Sequence, residues 1–179
     1  LVSITMTAAF DDQGVVTEAT GDTRLLDASV TPDPDTLAAI EKLAGPIEEL
    51  KARVVAEIPA GLDGSRDTCR AQECALGSII ADAMVDRVKD QGVTIGLQNG
   101  GGVRASIGAG TVTMGDVLAV LPFQNTLSTF NLPGSAIVAA LENGVSQVEE
   151  GAGRFPQVAG LRFSWDPKAP AMGRVKSVE

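Results

Sequence analysis

Val93-Thr-Ile-Gly-Leu97 reads as a short apolar strand that runs directly into Asn99-Gly100-Gly101-Gly102-Val103-Arg104. Before it, Leu76, Ile79, Ile80, Ala83, Met84 and Val88 recur at helical spacing, and Lys89-Asp-Gln-Gly92 supplies a stop. A strand over 54–58 and a glycine-rich loop holding Cys69 and Cys74 precede that helix. After the glycines, Thr113 and Asp116 form a capping-box pattern ahead of a short helix with Val117, Leu118 and Leu121 on its apolar side. Pro122 ends that helix and leaves Phe123 on a loop. Thr126 to Leu132 alternates as a strand, and Pro133-Gly134-Ser135 opens a helix through Ile137, Val138, Leu141 and Val145. A loop over 151–156 and a strand over 161–165 follow. The order β-α-β-loop-α-β-α-β predicts an α+β or mixed α/β domain.

Upstream, Val2, Ile4 and Met6 alternate with polar residues, and Phe10-Asp-Asp-Gln-Gly14-Val-Val is a strand, a turn and a second strand. Thr31-Pro-Asp-Pro-Asp35 is a stiff breaker before a helix with Leu37, Ile40, Leu43, Ala44, Ile47 and Leu50 on one face. Pro46 predicts a kink or restart in that helix. The first residues lack the basic and apolar regions of a signal peptide. Both ends, the last being Gly173–Glu179, read as strands in mid-course; a piece of a longer chain and a complete domain with ordinary edge strands both remain open at this point.

Composition excludes several function classes. The chain has 179 residues and is 44% hydrophobic, enough to bury a core. The net charge of −9 has the wrong sign for neutralising a nucleic-acid backbone. No apolar run is long enough for a transmembrane helix. There is no histidine, which removes a Ser–His–Asp triad, a His base and any His-ligated metal site from this chain.

Cys69 and Cys74 have no further soft ligands for zinc and no histidine to activate a thiol. A local disulfide and a pair of free thiols both remain open; a disulfide implies an oxidising compartment. Three glycines in a row allow close backbone approach and can point N–H groups outward, and Arg104 can hold a phosphate or carboxylate through two parallel hydrogen bonds. A tight turn and a surface charge are the plainer alternatives. Phe123 can offer a ring face to a planar base or serve as a core residue. Arg70, inside the cysteine loop, is a second candidate anion ligand.

Cys69-Arg-Ala-Gln-Glu-Cys74 with Leu76-Gly77 and Ala81-Asp-Ala-Met84, then Asn99-Gly-Gly-Gly-Val-Arg104, Val117-Leu-Ala-Val-Leu-Pro-Phe123 and Phe155-Pro-Gln-Val-Ala-Gly160 together resemble the C-terminal domain of the 5'-nucleotidase family. The resemblance implies an α+β sandwich over 54–179, incomplete at its C-terminal end. Residues 31–53 resemble the family's interdomain linker helix, and 1–30 the tail of its N-terminal metallophosphoesterase domain.

Residue by residue, the resemblance implies that Arg70 and Arg104 bind substrate phosphate or ribose. Asn99 would contact the base edge, Gly101 and Gly102 would permit close approach, and Phe123 would be one of two rings enclosing the nucleobase. Cys69 and Cys74 would form the family's disulfide. The implied activity is hydrolysis of nucleotide phosphate esters by a periplasmic, cell-surface or secreted enzyme. Its two divalent metal ions would belong to the N-terminal metallophosphoesterase domain, because the family's metal motifs are absent from this sequence. The expected partners are a nucleotide substrate and that domain, with no nucleic acid. A non-catalytic nucleotide-binding or interaction module, or a relative acting on a non-nucleotide substrate, are the alternatives.

Overall fold

A computed structural model describes residues 2–179. The chain divides into two compact units, Leu1–Ile47 and Glu48–Glu179. The first contains an antiparallel hairpin of β1 (Val2–Phe10) and β2 (Val16–Leu25). Its turn forms as the Asp-Asp-Gln-Gly stretch predicts. The Asp11 carboxylate accepts the Gln13 and Val15 N–H groups at 2.9 and 2.8 Å, and Gly14 takes a φ of 78°. Ile4, Met6 and Phe10 remain 69, 72 and 62% exposed, so this ribbon has no apolar cover among the described residues of its own unit.

Helix α1 (Pro34–Ala52) starts where the breaker predicts, with Pro34 in its first turn and the Asp33 carboxylate accepting the Thr36 N–H at 2.8 Å. That bond holds the Asp33 carboxyl below its usual range. The expected restart at Pro46 does not occur: the helix is continuous through it. Pro46 cannot donate to the Lys42 carbonyl, but Lys42 is exposed, so water can satisfy that group.

In the second unit every strand pairing is antiparallel, which makes the fold α+β as predicted. β3 (Val54–Ile58) pairs with β5 (Gly110–Thr113), and β4 (Gly96–Asn99) with β6 (Pro156–Ala159). β7 (Phe163–Trp165) pairs with β8 (Val175–Val178). The helices are α2 (Arg66–Cys69), α3 (Ala75–Val88), α4 (Met114–Val120) and α5 (Gly134–Val145). The α3 helix lies on β4 and β6. Small residues permit that approach: a Cβ on Gly96 would stand 2.8 Å from the Ala81 carbonyl oxygen.

Cys69, Cys74, Leu76, Val103 and Val120 form the buried cluster, with Leu62, Ile80, Ala105 and Ile107 packed around it. Cys69 and Cys74 are joined as a disulfide, with their Cα atoms 5.1 Å apart. So short a closed loop gains little from chain entropy. A second anchor is Arg174, which is 7% exposed. Its guanidinium donates to the Val145 and Ala169 carbonyls at 2.6 and 3.0 Å and pairs with Glu149 at 2.6 Å. The Arg174 and Val175 N–H groups donate to the Glu142 carboxylate at 3.0 and 2.9 Å, tying β8 to α5. Phe155 stacks at a tilt between Phe163 and Trp165, with centroids 6.3 and 5.9 Å away.

The capping box forms as predicted. The Thr113 hydroxyl accepts the Asp116 N–H at 3.3 Å, and the Asp116 carboxylate accepts the Thr113 N–H at 2.7 Å. Thr113→Val should cost about 1 kcal/mol of stability, read as a lower denaturation midpoint with an unchanged m-value. The expected strand over 126–132 is absent. The segment borders a cleft with Val93, Ile95 and Leu97 and anchors through the Thr129 hydroxyl, which donates to the Gln91 side-chain oxygen at 3.0 Å. Among the described residues it has no ladder partner, and alternation without one does not make a strand. The strands β5 and β6 and the short helix α2 form where the sequence pattern predicts none of them.

Candidate functional site

At the end of β4, Gly100–Gly102 form a single 3₁₀ turn. The Gly100 and Gly101 N–H groups donate to the Phe155 and Gly153 carbonyls at 2.8 and 2.9 Å, so neither points outward as a cradle. The space left by the missing side chains is filled by the protein itself. A Cβ on Gly100 would fall on the Cys69 carbonyl oxygen, one on Gly101 would lie 2.9 Å from the Gly153 carbonyl oxygen, and one on Gly102 would collide with the Gln98 amide. The triplet thus clamps three segments together: the disulfide loop, the end of β4 and the 151–155 loop.

That clamp brings the predicted residues into one chain of contacts. The Arg70 Nη1 donates to the Gly151 carbonyl at 2.8 Å, and the Asn99 Nδ2 to the Gly153 carbonyl at 3.2 Å. Gly151 and Gly153 have φ values of 58° and 82°, a backbone that side chains other than glycine's rarely tolerate. The Arg104 Nη1 lies 3.4 Å from the Gly101 carbonyl, and its guanidinium stands 5.6 Å from the centroid of the Phe123 ring. Phe123 is 54% exposed, just past α4, and borders a pocket of about 180 Å³ with Gln98, Gly102, Leu121 and Asn125.

The electrostatics of this face are one-sided. Burial, then the Arg66 cation, then the Arg104 cation push the Arg70 guanidinium below its usual range. Among the described residues none of Arg66, Arg70 and Arg104 pairs with a carboxylate, although the chain carries a net charge of −9. The Arg70 Nε is buried without a hydrogen-bond partner, and a buried donor left unpaired is costly. The arrangement can accept an anion with no change in its own pairing.

Sequence reading missed Arg66, although it stands one helical turn before Arg70 on α2. It also missed the Gly151 and Gly153 carbonyls that receive Arg70 and Asn99; the Gly-Ala-Gly spacing was the available signal. Among the described residues no group of three Cys, Asp or Glu side chains is placed to hold a metal ion.

The family model for the 5'-nucleotidase C-terminal domain matches residues 53–179. The trifunctional nucleotide phosphoesterase protein YfkN of Bacillus subtilis is 39% identical over 160 residues, covering 88% of this chain and 11% of that protein. A snake venom 5'-nucleotidase of Crotalus adamanteus is 31% identical over 180 residues, covering 94% and 31% respectively. The crystal structure of a 5'-nucleotidase precursor from Thermus thermophilus superposes with a TM-score of 0.75 at 42% identity, covering 99% of this chain and 35% of that one. The chain therefore spans about a third or less of the length of these relatives. By the extent of these matches, over a fold whose glycine turn and disulfide loop sit as described, the chain belongs to the 5'-nucleotidase C-terminal domain family.

Proposed function

We propose that this chain is the substrate-binding part of a nucleotide phosphohydrolase of 5'-nucleotidase type. The observation that carries the reading is the group of arginines Arg66, Arg70 and Arg104, which has no carboxylate partner and includes a buried, unpaired Nε. Arg70 and Arg104 would hold the phosphate or ribose, with Arg66 adding to the field. Asn99 keeps one N–H free of its bond to Gly153, available for a base edge. Gly102 would border the ligand pocket beside Phe123, while Gly101 would act through the clamp, since Gly153 and Gln98 already fill the space that the two missing side chains leave. Phe123 would stack on the nucleobase with the ring face that Arg104 leaves open.

The residues present do not fit a dimetal centre, so the two divalent ions implied by the family would be held by an N-terminal metallophosphoesterase domain outside this chain. Residues 1–30 would be the tail of that domain and 31–53 the linker helix; the exposed apolar residues of β1 and β2 support this. The formed disulfide and the venom relative support a periplasmic, cell-surface or secreted location. No helix among the described residues is long and apolar enough to cross a membrane.

Phosphate release from nucleoside monophosphates by the full-length protein, with divalent metal added, tests the reading; no release overturns it. Phe123→Ala should weaken nucleotide binding by about 1–3 kcal/mol, and Phe123→Trp should retain it. An unchanged KM for Phe123→Ala would remove Phe123 from the site.

A further inference from the structure

We infer that Gln157 is a positioning residue for Arg70, its side-chain amide fixing from inside the fold the loop that aims the guanidinium. Gln157 is 1% exposed, on β6, and 88 residues from Cys69 in sequence. Its Oε1 accepts the Cys74 N–H at 3.0 Å, and its Nε2 donates to the Cys69 and Gln72 carbonyls at 3.0 and 2.8 Å. Both amide N–H groups and one oxygen lone pair are thus directed at the same short loop.

The disulfide ties only the two ends of that loop. The peptide leading into Arg70 is held at both of its polar atoms: the Cys69 carbonyl accepts from Gln157, and the Arg70 N–H donates to the Arg66 carbonyl at 3.3 Å. The next peptide is held too, by the Ala71 N–H donating to the Thr68 carbonyl at 3.0 Å, and the two together set the direction in which the Arg70 side chain leaves the backbone. A second feature is built around the same amide. Gly77 on α3 faces Gln157, and a Cβ there would stand 2.5 Å from the Gln157 Cγ and 2.6 Å from its Oε1. The helix gives up the better propensity of alanine at a buried position, and the space goes to Gln157.

The inference rests on the reading of Arg70 as an anion ligand, so two measurements are needed. Full-length wild type, Gln157→Met and Gly77→Ala are compared in steady-state hydrolysis of adenosine 5'-monophosphate and in amide hydrogen exchange at Arg70 and Cys74. Both variants should raise KM about tenfold or more, the equivalent of a lost charge-assisted contact, while kcat stays within about threefold. Both should also exchange faster at Cys74. Faster exchange with an unchanged KM overturns the positioning role, as does an equal fall in kcat and kcat/KM. Unchanged exchange overturns the pinning itself. If Gln157→Met does not fold, Gly77→Ala decides alone, since it displaces the amide without leaving the loop's groups facing a thioether. If wild type does not hydrolyse the nucleotide, the proposed function fails, and exchange at Arg70 and Cys74 still decides whether Gln157 holds the loop.

Discussion

Gly100→Ala is expected to give the largest loss of stability of any single methyl addition on the candidate site. The new Cβ would fall on the Cys69 carbonyl oxygen and within 3.3 Å of the Arg70 backbone nitrogen, which is backbone rather than the movable tip of a side chain. Neither neighbour can yield. Cys69 is tied by the disulfide and by Gln157, and Gly100 by its N–H bond to Phe155. Overpacking of this kind costs about 1–3 kcal/mol and occasionally more. At about 2–4 °C per kcal/mol for a chain of this size, the upper end corresponds to a thermal midpoint lowered by roughly 6–12 °C. Gly108→Ala is the matched control, because nothing lies within 4 Å of its added Cβ. Its midpoint should hold or rise, through the reduced freedom of the unfolded chain. Equal midpoints for the two variants would mean that the glycine turn is not the clamp described.

Arg70→Ala is expected to give the largest loss of nucleotide affinity. A hydrogen bond to a charged group contributes about 1.5–3 kcal/mol, which corresponds to roughly 10- to 150-fold in KM for the full-length protein. Stability should respond differently. Arg70 stays protonated at any working pH, and burial and the Arg66 and Arg104 cations disfavour that charged form. Removing it relieves repulsion and forfeits one hydrogen bond, to the Gly151 carbonyl. The thermal midpoint should therefore change little. Inorganic phosphate should raise the midpoint of wild type by mass action and have a much smaller effect on the variant. Arg70→Lys keeps the charge without the planar fork and should fall between the two. A large drop in midpoint with normal KM would make Arg70 a structural residue.

What was legible in the sequence was what a few neighbouring residues decide. The Thr113–Asp116 box and the Asp11–Gly14 turn are both local, and both form as their residues predict. The stripe from Leu37 to Leu50 gave α1, although Pro46 suggested a break that exposure of the facing carbonyl made unnecessary. Asn99–Arg104 marked itself out by its glycines, but not what the glycines are for. Their N–H groups and empty Cβ positions meet Cys69, Gly153 and Phe155, partners tens of residues away in sequence. The segment 126–132 failed for the same reason in reverse: its alternation is local, whereas a ladder needs a distant partner. Gln157 lies in the Phe155–Gly160 stretch that carries the resemblance, but nothing local showed its role, because its bonds reach back more than 80 positions.

The tilted stack of Phe155 on Trp165 makes the chain self-reporting. Trp165 is the lone tryptophan and there is no tyrosine, so ultraviolet emission comes from a single indole. That indole lies 5.9 Å from the ring of the residue whose carbonyl receives the Gly100 N–H. Loosening of the glycine turn that displaces Phe155 should change the surroundings of this half-buried indole, and with them its emission. The fluorescence of this chain thus reads out the integrity of the candidate site without any added label.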